Sequence, residues 1–129
     1  MHRGSCLCGG VVFEVAQELS DPIGCHCRQC RQQSGHCFAA GHAETSAIRF
    51  IRDASLVWYR ASGSALRGFC RACGSTLFWR GDMSPQTAVA PGAIDGQTGV
   101  TLGRHCWVQA KGDYYALQDG LPQQERFDG

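Results

Sequence analysis

"FCRACGSTLFW", residues 69–79, is the stretch whose reading decides the fold. Two thiols, Cys70 and Cys73, precede a glycine and then an apolar run rich in strand formers, the pattern of a metal knuckle leading into a β-strand. A second pair stands near the start, Cys6 and Cys8 in "SCLCGG" (residues 5–10). Tetrahedral zinc with Zn–S bonds of about 2.3 Å needs its sulfurs roughly 3.8 Å apart. An extended strand cannot supply that from residues two apart, so each chain must curl around the ion. Gly9, Gly10 and Gly74 follow the pairs, where they can take positive φ. Four thiolates fill the coordination sphere, so this site is expected to be structural, joining the first hairpin to the segment around residues 69–79. Such sites contribute about 10–16 kcal/mol in small zinc modules, comparable to the whole net stability of a domain. The alternatives are chance burial of small thiols and a thioredoxin-like redox pair at Cys70/Cys73, which would want a βαβ context that the sequence does not show.

Outward from the two pairs, the chain reads as one domain over residues 1–129. Its 129 residues are 43% hydrophobic and 18% charged with a formal net charge of +1, which suits an ordinary core and offers no basic face for nucleic acid. No apolar run is long enough to span a bilayer, and "MHRGSCLCGGVVFEV" lacks the apolar core of a secretion signal. Nine cysteines cannot all pair within the chain, so a cytoplasmic protein with reduced, metal-binding thiols is expected rather than a disulfide framework.

Seventeen glycines against four prolines imply short elements. "GGVVFEVAQ", "HCFAAGHA", "AIRFIR", "SLVWYRA", "RGFC", "STLFWRG", "TAVAPGAI" and "HCWVQA" read as strands, being brief apolar or alternating runs bounded by turn formers. "HCRQCRQQSG" reads as one short helix ending at Gly35. The expected fold is therefore mainly β, with short antiparallel strands in small coiled sheets pinned by the four-cysteine zinc site. The polar "QDGLPQQERFDG" is expected to be a loosely attached tail from about residue 120.

Within "IGCHCRQCRQQSGHC" (residues 23–37) three thiols crowd together, Cys25, Cys27 and Cys30. All three can reach one ion from a loop and the first turn of a helix, leaving zinc a vacancy for water or a substrate thiol. Cys37, His36 and His26 are candidates to close that vacancy. Cys37 is the serious rival, while His26, between two ligands, is expected to point away from the ion into solvent.

The succession of "GSCLCGGVVFEV", "CHCRQCRQQSG", "FCRACGSTLF", "APGAIDG" and "RHCWVQAKGDYYALQDGLP" resembles the glutathione-dependent formaldehyde-activating (GFA) family, from Gly4 to Pro122. The resemblance implies a mainly β fold, shared with a small zinc protein that assists Rab GTPases, and zinc held by Cys6, Cys8, Cys70 and Cys73. It also implies a second, catalytic zinc at Cys25, Cys27 and Cys30, and the joining of glutathione to formaldehyde to give S-hydroxymethylglutathione, carbon–sulfur lyase chemistry in reverse. Two departures are Cys37, where a small or apolar residue is commoner, and Cys106, in place of an aliphatic residue after the matching His105. Cys106 is expected to be a buried small hydrophobe and His105 a supporting residue rather than a ligand.

An unperturbed thiol ionises near pH 8.5, about the value for free cysteine, so zinc would be needed to hold glutathione as the nucleophilic thiolate at neutrality. Arg28 and Arg31 flank the loop and are candidates for the tripeptide's carboxylates. Two further classes compete with the enzyme: a zinc-stabilised module docking a protein through Trp58, Tyr59 and Trp79, and a zinc storage or sensing protein closed reversibly by Cys37.

Overall fold

The computed structural model describes residues 1–127. A small sheet is built from β1 (His2–Ser5), β2 (Val12–Val15) and β5 (Ile48–Arg52), in that order and antiparallel throughout. The larger sheet uses β3 (Ile23–Cys25), β4 (Phe38–Glu44), β6 (Leu56–Ser62), β7 (Ala65–Cys70), β8 (Thr76–Gly81), β9 (Gln86–Val89) and β10 (Arg104–Cys106). Its seven strands run in the order β10-β3-β4-β9-β8-β7-β6. One helix, α1 (Arg28–Ser34), connects β3 to β4. No helix among the described residues is long and apolar enough to cross a membrane.

Strand parity explains where the two sheet faces go, because successive side chains alternate. On β8, Phe78 turns into the space between the sheets and meets Phe13 of β2 edge-on at 4.9 Å, with Phe50 at 5.7 Å and Trp58 stacked at 5.8 Å. Val11, Val15, Leu19, Ala43, Val89 and Ile94 share this core with Cys6 and Cys70, and Leu77, next to Phe78, joins it because the β7–β8 ladder shifts register there. The neighbouring residue Trp79 turns to the opposite face, where Phe38, Ala40 and Ala88 pack with Cys30 beneath α1. Trp58 and Trp79 are thus packing residues, while Tyr59 is exposed.

The mainly β reading holds, with four differences of detail, the first that in "HCWVQA" the strand ends at Cys106 and a 3-10 turn (Val108–Ala110) follows Trp107. The larger sheet is not wholly antiparallel: β10 lies parallel to β3, Cys106 opposite Cys25, because the chain returns to that edge from the far end of the sequence. In "TAVAPGAI" the strand stops at Val89 and Pro91 opens a 3-10 turn (Pro91–Ala93), proline having no N–H for a ladder. The described part of the polar tail expected to be loose is instead paired backbone to backbone, His105 N–H donating to Pro122 O at 2.9 Å and Gln124 N–H to His105 O at 2.9 Å, while residues 128 and 129 lie outside the described residues. Side-chain polarity in "LPQQER" reports exposure and carries no signal of that backbone pairing.

Candidate metal centres and the cavity between them and solvent

The knuckles form as hydrogen-bonded turns. Gly9 N–H closes on Cys6 O at 3.1 Å, and Gly74 N–H on Cys70 O at 2.7 Å. Gly9 and Gly74 have φ of 77° and 79°, the left-handed region a Cβ disfavours. Gly10 has no positive φ; its glycine is needed for space, since a Cβ would lie 2.6 Å from Ser55 Oγ. Cys6, Cys8, Cys70 and Cys73 come together, with Cys6 and Cys8 sulfurs 3.7 Å apart and Cys8 and Cys70 sulfurs 3.7 Å apart. A disulfide needs about 2.05 Å and tetrahedral zinc about 3.8 Å, so the donor set fits the ion.

Backbone donors already face these sulfurs: Val11 N–H to Cys6 at 3.2 Å and Gly10 N–H to Cys8 at 3.4 Å. Hydrogen bonding from Ser75 and the adjacent amides pushes the Cys73 thiol down to about 5. Gly10 N–H favours the Cys8 thiolate, yet the thiols of Cys6, Cys70 and Cys73 push it up to about 11. Four sulfurs this close cannot all ionise without a cation among them, which is the electrostatic condition a divalent metal meets.

Cys25, Cys27 and Cys30 also come together, their sulfurs all within 4.8 Å of one another. Cys25 ends β3, Cys27 is the N-cap of α1, and Cys30 lies in the first turn with its N–H on Cys27 Sγ at 3.4 Å. Gly35, left-handed at φ 86°, ends the helix as expected from the sequence. Arg67, only 4% exposed, reaches in from β7 and donates from Nη2 to Cys30 Sγ at 3.4 Å and from Nη1 to Gln33 Oε1 at 3.2 Å. Its Nε is buried without a partner. The thiols of Cys25 and Cys30, with the Cys30 N–H and Arg67, push the Cys27 thiol down to about 2. The Cys106 and Cys27 thiols push Cys25 up, and the Cys25 and Cys27 thiols push Cys30 up, so the three sulfurs do not all ionise without a cation among them.

These sulfurs open on a cavity of about 540 Å³ walled by Phe38, His42, Trp79, Trp107 and Arg67 among others, with no acidic residue in its lining. Arg28, Gln29 and Arg67 also line a second recess of about 280 Å³ that holds Gln32, Gln33 and Tyr59. Of the two arginines expected to meet carboxylates, Arg28 lines both hollows and Arg31 lines neither.

None of Cys37, His36 and His26 joins the three sulfurs. Phe38 pairs with Cys25, so Cys37, one residue earlier, is turned to the other side of the strand, where burial pushes its thiol up. Cys106 is buried as expected, but it does more than fill space, because its thiol interacts with that of Cys25 across the parallel pair and both line the cavity. Trp107, the one non-glycine residue with positive φ among those described, at 55°, turns the chain there and adds its indole to the same wall.

The expectation that His26 is solvated is overturned: it is fully buried. Its Nδ1 meets the hydroxyl of Tyr115, its Nε2 lies 2.9 Å from His105 Nδ1, and His105 Nε2 lies 2.7 Å from Asp119 Oδ2. Gly24 makes room for the pair, since a Cβ there would sit 3.0 Å from His105 Nδ1 and 3.6 Å from His26 Nε2. No single-residue pattern in the sequence links positions so far apart. The one signal present was the glycine immediately before the thiol cluster.

Fold and clusters define a mainly β protein, short-stranded with one helix, carrying two cysteine clusters that could hold metal ions. Residues 1–110 match the profile of the glutathione-dependent formaldehyde-activating enzyme family, and the chain belongs to that family. A crystal structure of a Rhodobacter sphaeroides protein, a structural genomics target, is similar at 30% identity and a TM-score of 0.63, covering 75% of this chain and 91% of that one. No curated protein sequence matches the chain.

Proposed function

We propose that the protein joins glutathione, or a close thiol relative, to formaldehyde and runs the reverse cleavage, a carbon–sulfur lyase-type reaction in the cytoplasm. The carrying observation is the three-sulfur cluster of Cys25, Cys27 and Cys30 opening on the roughly 540 Å³ cavity. Family membership supports the substrate pair. Zinc bound to these three residues would supply a cation that keeps an incoming thiol ionised and polarises the aldehyde. The Cys6, Cys8, Cys70 and Cys73 set would hold a structural zinc.

The chain's own groups then have distinct tasks. Three thiolates leave a divalent ion with excess negative charge, and Arg67 supplies the matching positive charge through Cys30. Arg28 and Gln29, shared by the two acid-free hollows, suit the carboxylates of a peptide thiol. His42 is the imidazole on the cavity wall, where burial and the nearby Arg104 favour its neutral form. The thiol's sulfur pair forms the C–S bond, the carbonyl π pair moves to oxygen, and that oxygen takes up a proton. The test follows formaldehyde loss with glutathione against the spontaneous rate, for zinc-loaded wild type and Cys27→Ser. Enhancement that survives in Cys27→Ser sinks the proposal.

A further inference from the structure

The hydrogen-bond chain Tyr115–His26–His105–Asp119 crosses three separate segments of sequence, and its two ends, Tyr115 and Asp119, lie beyond the 1–110 stretch that matches the family profile. Its polarity follows from the donor and acceptor inventory. The Asp119 carboxylate only accepts, so His105 donates from Nε2–H and keeps Nδ1 as an acceptor. That acceptor takes the Nε2–H of His26, whose own Nδ1 then accepts from the Tyr115 hydroxyl. With both imidazoles neutral, one arrangement satisfies every buried nitrogen of the chain. Asp119 is itself fixed, since its Oδ1 accepts from Leu121 N–H at 3.0 Å.

His26 is held at three points. Both ring nitrogens are engaged, and its backbone N–H donates to Cys106 O at 3.1 Å. The residue lies between Cys25 and Cys27, so fixing its ring and its amide fixes the peptide units that carry both thiols. We propose that His26, His105 and Asp119 are positioning residues through which the C-terminal segment sets the metal affinity of the Cys25, Cys27 and Cys30 cluster. This rests on the reading of that cluster as a metal site.

The test uses full-length protein titrated with Co²⁺, whose thiolate charge-transfer absorption reports both clusters, alongside nitrogen-15 NMR of the histidine tautomers. Wild type takes up two equivalents and shows His26 and His105 as Nε2–H tautomers. Asp119→Asn, at a carboxylate 40% exposed and with the Oδ1 acceptor for Leu121 N–H retained, keeps the tighter equivalent, weakens the other about 10–100-fold, the usual effect of losing an outer partner, and leaves His105 with mixed tautomers. Tyr115→Phe, which removes one hydroxyl, weakens the same equivalent to a smaller degree. Two equivalents bound equally well by wild type and both variants overturn the positioning role alone, as does a wild-type His26 protonated at Nδ1. A wild type that binds one equivalent overturns the metal reading and the inference with it.

Discussion

Arg67 carries a buried charge that no carboxylate balances among the described residues, with a thiol sulfur and an amide oxygen as its partners. A charge taken from water in this way is costly unless an anion is added, and the anion at hand is the thiolate cluster. The balance predicts two effects of opposite sign for Arg67→Met. Metal affinity at the second cluster falls about ten-fold or more, the worth of one hydrogen bond to a charged group at about 1.5–3 kcal/mol, while the metal-free protein melts no lower than wild type. Zinc competition with a chromophoric chelator and a melting curve in EDTA check both; a lowered metal-free melting temperature with unchanged zinc affinity would show that Arg67 serves packing instead.

At the scale of elements, the four-cysteine cluster staples the β1–β2 hairpin of one sheet to the β7–β8 hairpin of the other, and Leu7 N–H adds a bond to Ser75 Oγ at 3.0 Å. Cys8→Ser should therefore uncouple the two sheets, with loss of several kcal/mol from a site type worth about 10–16 kcal/mol. Hydrogen exchange should rise in β1, β2 and β5 before it rises in β6 and β7. Uniform exchange across both sheets would argue against the staple. These knuckles were legible because local spacing and glycine placement encode them, and α1 was legible through its helix-forming Arg and Gln residues and Gly35. The pairing of β3 with β10 was not, because "IGC" and "RHC" are three-residue strands with no periodicity to read, and their partnership is decided by the return of the chain. The direction of Cys37, the rival ligand, was hidden for a related reason: parity relative to Phe38 decides it, and parity is fixed only once the register is known.

For the whole molecule, the histidines give stability a definite slope with pH. Burial and Arg104 hold His42 below 6.5, and burial with His105, His36 and Lys111 pushes His26 down to about 4. The unfolded chain binds these protons more tightly, so stability is full above 6.5 and is lost as pH falls through 6.5 toward the folded values. Urea midpoints of the metal-free protein should drop on acidification, and less so in His42→Gln; a parallel drop in the variant would remove His42 from the account. The two clusters also differ in when a growing chain can assemble them. Cys25, Cys27 and Cys30 emerge from the ribosome together and need only a short loop closure, whereas Cys6 and Cys8 must wait for Cys70 and Cys73. The three-thiol claw is exposed before Arg67, β10 or the cavity exists, so whichever soft cation is free during translation meets it first.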